Sequence, residues 1–160
     1  MWFCKWEVRD SRIHGKGVFV RESVPRGRIL SIGCRPTILR EEEYLLRART
    51  DPDLFRNSVR LLGKYYGYEP GGTVPEDYIN HSANSNVLYH MGALIALRDI
   101  QPDEELTVDY NHYFGFDADG HMTDRDSGEI VHGSLPRQSL VTTCSTIISL
   151  VTGIGEWDGT

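Results

Sequence analysis

The run Tyr78-Ile79-Asn80-His81-Ser82-Ala83-Asn84-Ser85-Asn86 decides the reading of this 160-residue chain. Its short polar side chains are the kind that bond to nearby backbone in turns. It lies between β-favouring runs, Tyr65 to Tyr68 before it and Val87 to Met91 after it. Backbone buried at such a place must find side-chain partners. Taken alone, the run is an Asn/Ser turn with a structural histidine. Working outward, Ala93 to Leu97 and Leu106 to Tyr110 read as further strands, separated by Gln101-Pro102-Asp103. Upstream, Val18-Phe19-Val20 and Arg28 to Ile32 flank the turn Val24-Pro25-Arg26-Gly27 and read as two strands of a hairpin-like unit.

Helical signals fall in two places. Arg40 to Arg49 carries Glu41, Glu42 and Glu43 at its start and Arg47 and Arg49 at its end, the order that complements a helix dipole. Asp51-Pro52 then reads as the N-cap and first position of a short second helix carrying Leu54, Phe55, Val59 and Leu62, so residues 40–62 form a helical insertion. After Pro136, Leu140, Val141, Cys144, Ile147, Ile148 and Val151 recur at helical spacing, predicting a helix over 136–152. The Asp- and Gly-rich stretch 115–134 reads as a long loop.

Composition narrows the function classes. A hydrophobic fraction of 39% in 160 residues closes one core and not two. A net charge of −6 lacks the Lys/Arg surplus that phosphate neutralisation needs, so direct nucleic-acid binding is not expected and a basic protein partner is. Cys4, Cys34 and Cys144 are odd in number and never spaced C-x-x-C, which excludes a structural zinc cluster and points to a reducing, intracellular setting. The histidines show no tight ligand spacing, and Asp117, Asp119, Asp124, Asp126 and Glu129 lack EF-hand spacing, so no metal is expected and that stretch reads as a solvated acidic loop, able at most to attract a basic peptide. The first ten residues hold Lys5, Glu7, Arg9 and Asp10, so no secretory leader is expected, and the apolar run Leu140 to Ile154 is too short and Thr/Ser-rich for a membrane span.

Three segments in order carry a resemblance: Ile13-His14-Gly15-Lys16-Gly17-Val18-Phe19, the Asn80 run, and Asp103-Glu104-Glu105-Leu106-Thr107-Val108-Asp109-Tyr110. Together they resemble the SET domain of protein-lysine methyltransferases over residues 6–114. Alone, Gly15-Lys16-Gly17 reads more often as a tight turn than as a ligand cradle. The resemblance implies a mainly β fold with short helices, β-clip-like, built of small sheets tied in a pseudoknot. Many SET enzymes close the lysine channel with a zinc-binding cysteine cluster, but this chain has only Cys144 there, so residues 115–160 are read as a zinc-free lid. The resemblance also implies S-adenosyl-L-methionine as methyl donor, bound by His14, Gly15, Lys16, Gly17, Asn80 and His81, and no metal. It implies Tyr110 as the catalytic residue, with Asp109 and Glu105 structural.

The same resemblance assigns Tyr89, Tyr113 and Phe114 to the channel that takes the substrate lysine, with Tyr89 limiting how many methyl groups fit. Tyr65, Tyr66, Tyr68, Tyr110 and Phe116 are further aromatics near the motifs, about half of which are core by ordinary burial statistics. The substrate implied is a lysine-bearing protein, such as a histone with its basic tail. Pairing of subunits through the C-terminal helix is a further expectation, as is a cytoplasmic location, nuclear in a eukaryote. The alternative function is a SET-like module that binds protein without catalysis, against which the intact Asn80, His81 and Tyr110 argue.

Overall fold

The computed structural model describes residues 1–33, 37–51, 54, 58–62, 64–69, 74–112 and 123–153. Strand β1 (Trp6–Asp10) pairs antiparallel with β2 (Lys16–Val20) through a turn that Ser11 and Gly15 close, Ser11 N–H donating to the Gly15 carbonyl at 2.9 Å. Gly15 takes φ +49°, a left-handed conformation that suits glycine. Strand β3 (Ile29–Ile32) joins β9 (Ala93–Ala96) and β8 (Val87–His90) in a three-stranded antiparallel sheet ordered β3-β9-β8. The second such sheet, ordered β4-β6-β5, combines β4 (Thr37–Arg40), β6 (Tyr65–Tyr68) and β5 (Ser58–Leu62). Two residues of β7 (Asn80–His81) run parallel to two of β10 (Thr107–Val108), a pairing of segments far apart in sequence.

The expected hairpin-like unit is not formed. β2 pairs with β1, whereas the turn after it is captured by Ile100: Val24 and Ile100 exchange backbone hydrogen bonds of 2.9 and 2.8 Å, and Gly27 N–H donates to the Ala96 carbonyl at 2.8 Å. That capture delivers β3 onto β9 instead of back along β2.

The main core is built from Val18, Val20, Val24, Leu30, Ile79, Val87, Leu94, Ala96, Ile100, Leu106 and Val108. A smaller cluster of Leu39, Tyr44, Leu54 and Tyr66 sits under the insertion, with Tyr44 stacked on Tyr66 at 4.1 Å between ring centroids. The single core expected from composition therefore has a satellite.

Helix α1 (Glu41–Ala48) follows the charge pattern, and Arg47 reaches Glu43 one turn back at 2.6 Å. The Asp51 carboxylate accepts the Leu54 N–H at 3.1 Å, as an N-cap does. Val59 and Leu62, however, lie in β5, opposite Gly67 and Tyr65, so residues 40–62 are not helical throughout. The β-branched Val59 and the waiting edge of β6 favour a strand there. Phe55 and Pro52 lie outside the described residues.

Helix α2 (Pro136–Gly153) matches the expected C-terminal helix. Its packed side is Thr143 and Leu150, whereas Val141, Cys144, Ile148 and Val151 face solvent. Among the described residues no helix is long and apolar enough to cross a membrane.

Candidate functional site

The three sequence motifs meet at one side chain. The parallel β7/β10 pairing sets Asn80 beside Thr107. From there Asn80 Nδ2 faces the carbonyls of His14 at 3.2 Å and Lys16 at 3.0 Å, and Glu105 Oε1 at 2.8 Å. Ser11 Oγ donates to the same carboxylate, at 2.7 Å from Oε1. Leu106 N–H donates to the Val18 carbonyl at 2.7 Å, which draws the third motif onto β2. Gly17 has a reason the sequence did not supply: a Cβ there would overlap the Glu105 carboxylate. Its smallness makes room for a protein side chain. Gly15, by contrast, faces open space.

Asn86, the last residue of the central run, is 1% exposed. Its Oδ1 accepts the Thr107 N–H at 2.8 Å, and its Nδ2 donates to the Glu105 carbonyl at 2.7 Å and to Glu104 Oε1 at 3.1 Å. One amide thus satisfies backbone that two-residue strands leave unpaired. Glu104 ionises more readily than usual: its burial opposes this, but Arg98, the Gln101 N–H and Asn86 outweigh it.

Tyr110 does not end a strand. It opens a 3-10 turn, Tyr110–His112, which Asp109 caps by accepting the Asn111 N–H at 2.9 Å. The Tyr110 hydroxyl donates to the Ile79 carbonyl at 2.7 Å, and its backbone N–H donates to His81 Nδ1 at 3.0 Å. Burial, and secondarily the negative charge of Asp77, pushes the phenol up to about 12. His81 Nδ1 also lies 3.3 Å from the Val108 carbonyl, and its Nε2 lies 3.3 Å from Asp124 Oδ2. The His81 and Tyr110 rings lie 5.3 Å apart.

Asp124 was missed by sequence reasoning, which put it in a solvated acidic loop. It is 3% exposed and docks the C-terminal segment onto the central motif. Its Oδ2 also accepts the Ala83 N–H at 2.9 Å, and its Oδ1 accepts the Ser127 N–H at 2.7 Å and the Asp126 N–H at 3.0 Å. The Ser127 and then the Ala83 N–H groups hold the carboxyl down at about 2 against its burial. The available signal was Asp124-Arg125-Asp126-Ser127-Gly128, an Asp followed by Ser and Gly at turn spacing.

The remaining expected residues are dispersed. Tyr89 lines a cavity of about 270 Å³ with Trp2, Glu69 and Glu76 among its other walls, and Tyr110 is not one of them. The 3-10 turn Pro75–Tyr78 links the two places, since Glu76 lines that cavity and Asp77 acts on Tyr110. Tyr66 is core, Tyr68 packs beside it, and Tyr65 is exposed. Tyr113, Phe114 and Phe116 lie outside the described residues. Among the described residues no group of three or more His, Cys, Asp or Glu could hold a metal ion.

Solved structures of the Polycomb Repressive Complex 2 of Chaetomium thermophilum share the fold. An apo form with mutations in Ezh2 is 22% identical at a TM-score of 0.55, the match covering 70% of this chain and 16% of that one. A form in an autoinhibited conformation bound to S-adenosylmethionine is 20% identical at a TM-score of 0.55, covering 69% and 16%. A humanized mutant bound to an inhibitor is 21% identical at 0.55, covering 69% and 15%. The chain therefore spans a small part of the length of these proteins. No curated protein matches the chain. The SET-domain profile matches residues 15–111, which include Lys16, Asn80, Glu105 and Tyr110 and begin one residue after His14, and the chain belongs to the SET-domain family.

Proposed function

We propose that the chain is an S-adenosylmethionine-dependent protein-lysine N-methyltransferase. The observation that carries this reading is the convergence of the His14 and Lys16 carbonyls and Glu105 on Asn80, next to His81, which accepts the Tyr110 N–H. The oxygens there suit the cofactor: the His14 and Lys16 carbonyls and the Glu105 carboxylate are acceptors, and S-adenosylmethionine carries an ammonium and a sulfonium. When bound, it supplies a methyl group activated by the positive sulfur. His14, Gly15, Lys16, Gly17, Asn80 and His81 are the residues assigned to hold it.

What remains for the protein is to prepare the amine. A lysine with pKa near 10.4 is neutral in roughly one molecule in a thousand or fewer at pH 7, a protonation term of about 4–5 kcal/mol. A desolvated aromatic channel lowers that pKa, and fixed positioning supplies much of the remaining acceleration. Tyr110 is not the base. Its phenol keeps its proton through neutral pH and commits it to the Ile79 carbonyl, so the oxygen presents lone pairs to an approaching cationic centre. His81 fixes the Tyr110 backbone, and Asp124 fixes His81. Tyr89, Tyr113 and Phe114 are assigned to the lysine channel, and the net charge of −6 favours a basic substrate such as a histone tail.

The test is methyl transfer from labelled cofactor to histones and protein extracts, comparing wild type with Tyr110→Phe. The variant is expected to lose about 10²-fold in kcat, the scale of one aimed hydroxyl. Equal labelling by both would remove Tyr110 from the chemistry.

A further inference from the structure

The seam where β5 meets the start of α2 holds a positive charge with no counter-charge among the described residues. Arg60, on β5, is 5% exposed. Its Nη1 donates to the Ser134 carbonyl at 2.8 Å, while Nε and Nη2, the adjacent donors that form the side-on fork of a guanidinium, have no hydrogen-bond partner among the described residues. A guanidinium cannot escape by losing its proton, and a buried one without a counter-charge is among the costliest arrangements in a folded chain. The Ser134 hydroxyl is likewise buried without a partner.

The second observation is the helix end beside it. Ser134 stands two residues before Pro136, the first residue of the 18-residue α2. First-turn N–H groups have no intrahelical acceptor, and the dipole places positive potential there. Gln138 Oε1 takes the Leu135 N–H at 3.3 Å, and Pro136 has none, which leaves the Arg137 and Gln138 N–H groups at that end. On the adjoining Tyr110–His112 turn, whose His112 carbonyl accepts Ser139 Oγ at 2.9 Å, His112 Nδ1 is a further buried atom without a partner. Fork and helix end call for negative charge, and the hydroxyl can donate to it.

We propose that this seam is a binding site for a small oxyanion, carboxylate or phosphate, taken bidentately by Arg60 Nε and Nη2 and completed by Ser134 and the first turn of α2. The fork is closed to solvent, so the anion enters as the seam parts, and its binding fastens the insertion sheet to the C-terminal helix just behind Tyr110. A free anion and an acidic side chain of a bound polypeptide offer the same oxygens.

The test is thermal unfolding of the whole chain in chloride, acetate and inorganic phosphate at matched ionic strength. For the wild type, Tm rises with the logarithm of phosphate or acetate concentration beyond any rise in chloride. Whichever of the two acts at lower concentration separates a tetrahedral from a planar occupant, and competition by a glutamate-containing or phosphoserine-containing peptide identifies a polypeptide source. Arg60→Met abolishes the anion-dependent rise and melts no lower than wild type in chloride, because the uncompensated charge is gone. Ser134→Ala weakens the anion midpoint by roughly tenfold, which keeps the test open should Arg60→Met fail to fold. A wild-type Tm no higher in either oxyanion than in chloride, or an equal rise in Arg60→Met, would overturn the site.

Discussion

The surroundings of Asn80 and Asn86 and the seam at Arg60 are both buried, polar and built from segments distant in sequence, yet they are finished to different degrees. Around Asn80 and Asn86 the side-chain donors close on carbonyls and carboxylates supplied by the chain itself. Around Arg60, two guanidinium nitrogens and the Ser134 hydroxyl find no hydrogen-bond partner among the described residues. The first region stands assembled before any ligand arrives. The second leaves a charge whose partner has to come from outside.

That contrast can be broken most forcefully at Asn86. Asn86→Ala removes three hydrogen bonds from a side chain 1% exposed and strands the Thr107 N–H, and it is expected to cost about 3–4 kcal/mol, read as a fall in the urea midpoint at unchanged slope. Gly17→Ala pushes a methyl into the Glu105 carboxylate and is expected to cost about 1–3 kcal/mol by the same measurement. A neutral result there would mean that Glu105 can swing away, and that the Asn80 contacts are less fixed than they look.

Asp124 offers a subtler cut. Its carboxyl titrates at about 2 in the fold against an ordinary 3.8, so its stabilising contribution is complete above about pH 4 and disappears as pH falls through about 2. Asp124→Asn is expected to lower the urea midpoint at neutral pH by an amount equivalent to about 1–2 kcal/mol. The gap between wild type and variant should narrow between pH 4 and 2. A gap independent of pH would show that the charge of Asp124 contributes nothing. The smallest effect belongs to Arg60→Met in chloride, where little or no stability change is expected, in contrast to the loss at Asn86.

Much of the fold was legible because its strands are short β-favouring runs set off by Gly and Pro. The second helix was misread because Val59 and Leu62 suit either a helix face or a strand, and only the edge of β6 decides between them. The hairpin-like unit failed for a similar reason, since nothing local to Val24-Pro25-Arg26-Gly27 announces that Ile100 will capture the turn. In α2 the apolar spacing located the helix but not its buried side: Leu150 and Thr143 pack, while Val141 and Ile148 remain exposed.

Three motifs in order carried the resemblance that put Asn80, His81 and Tyr110 in one expected site, with Glu105 read as structural. Tertiary structure alone decided what each one touches. That Gly17 yields space to Glu105, that Asp124 turns inward from its loop to meet His81, and that Arg60 is buried without a counter-charge among the described residues all depend on distant segments arriving at one point. Hydrogen bonds and charge act over a few ångströms in space, and sequence separation does not measure that distance.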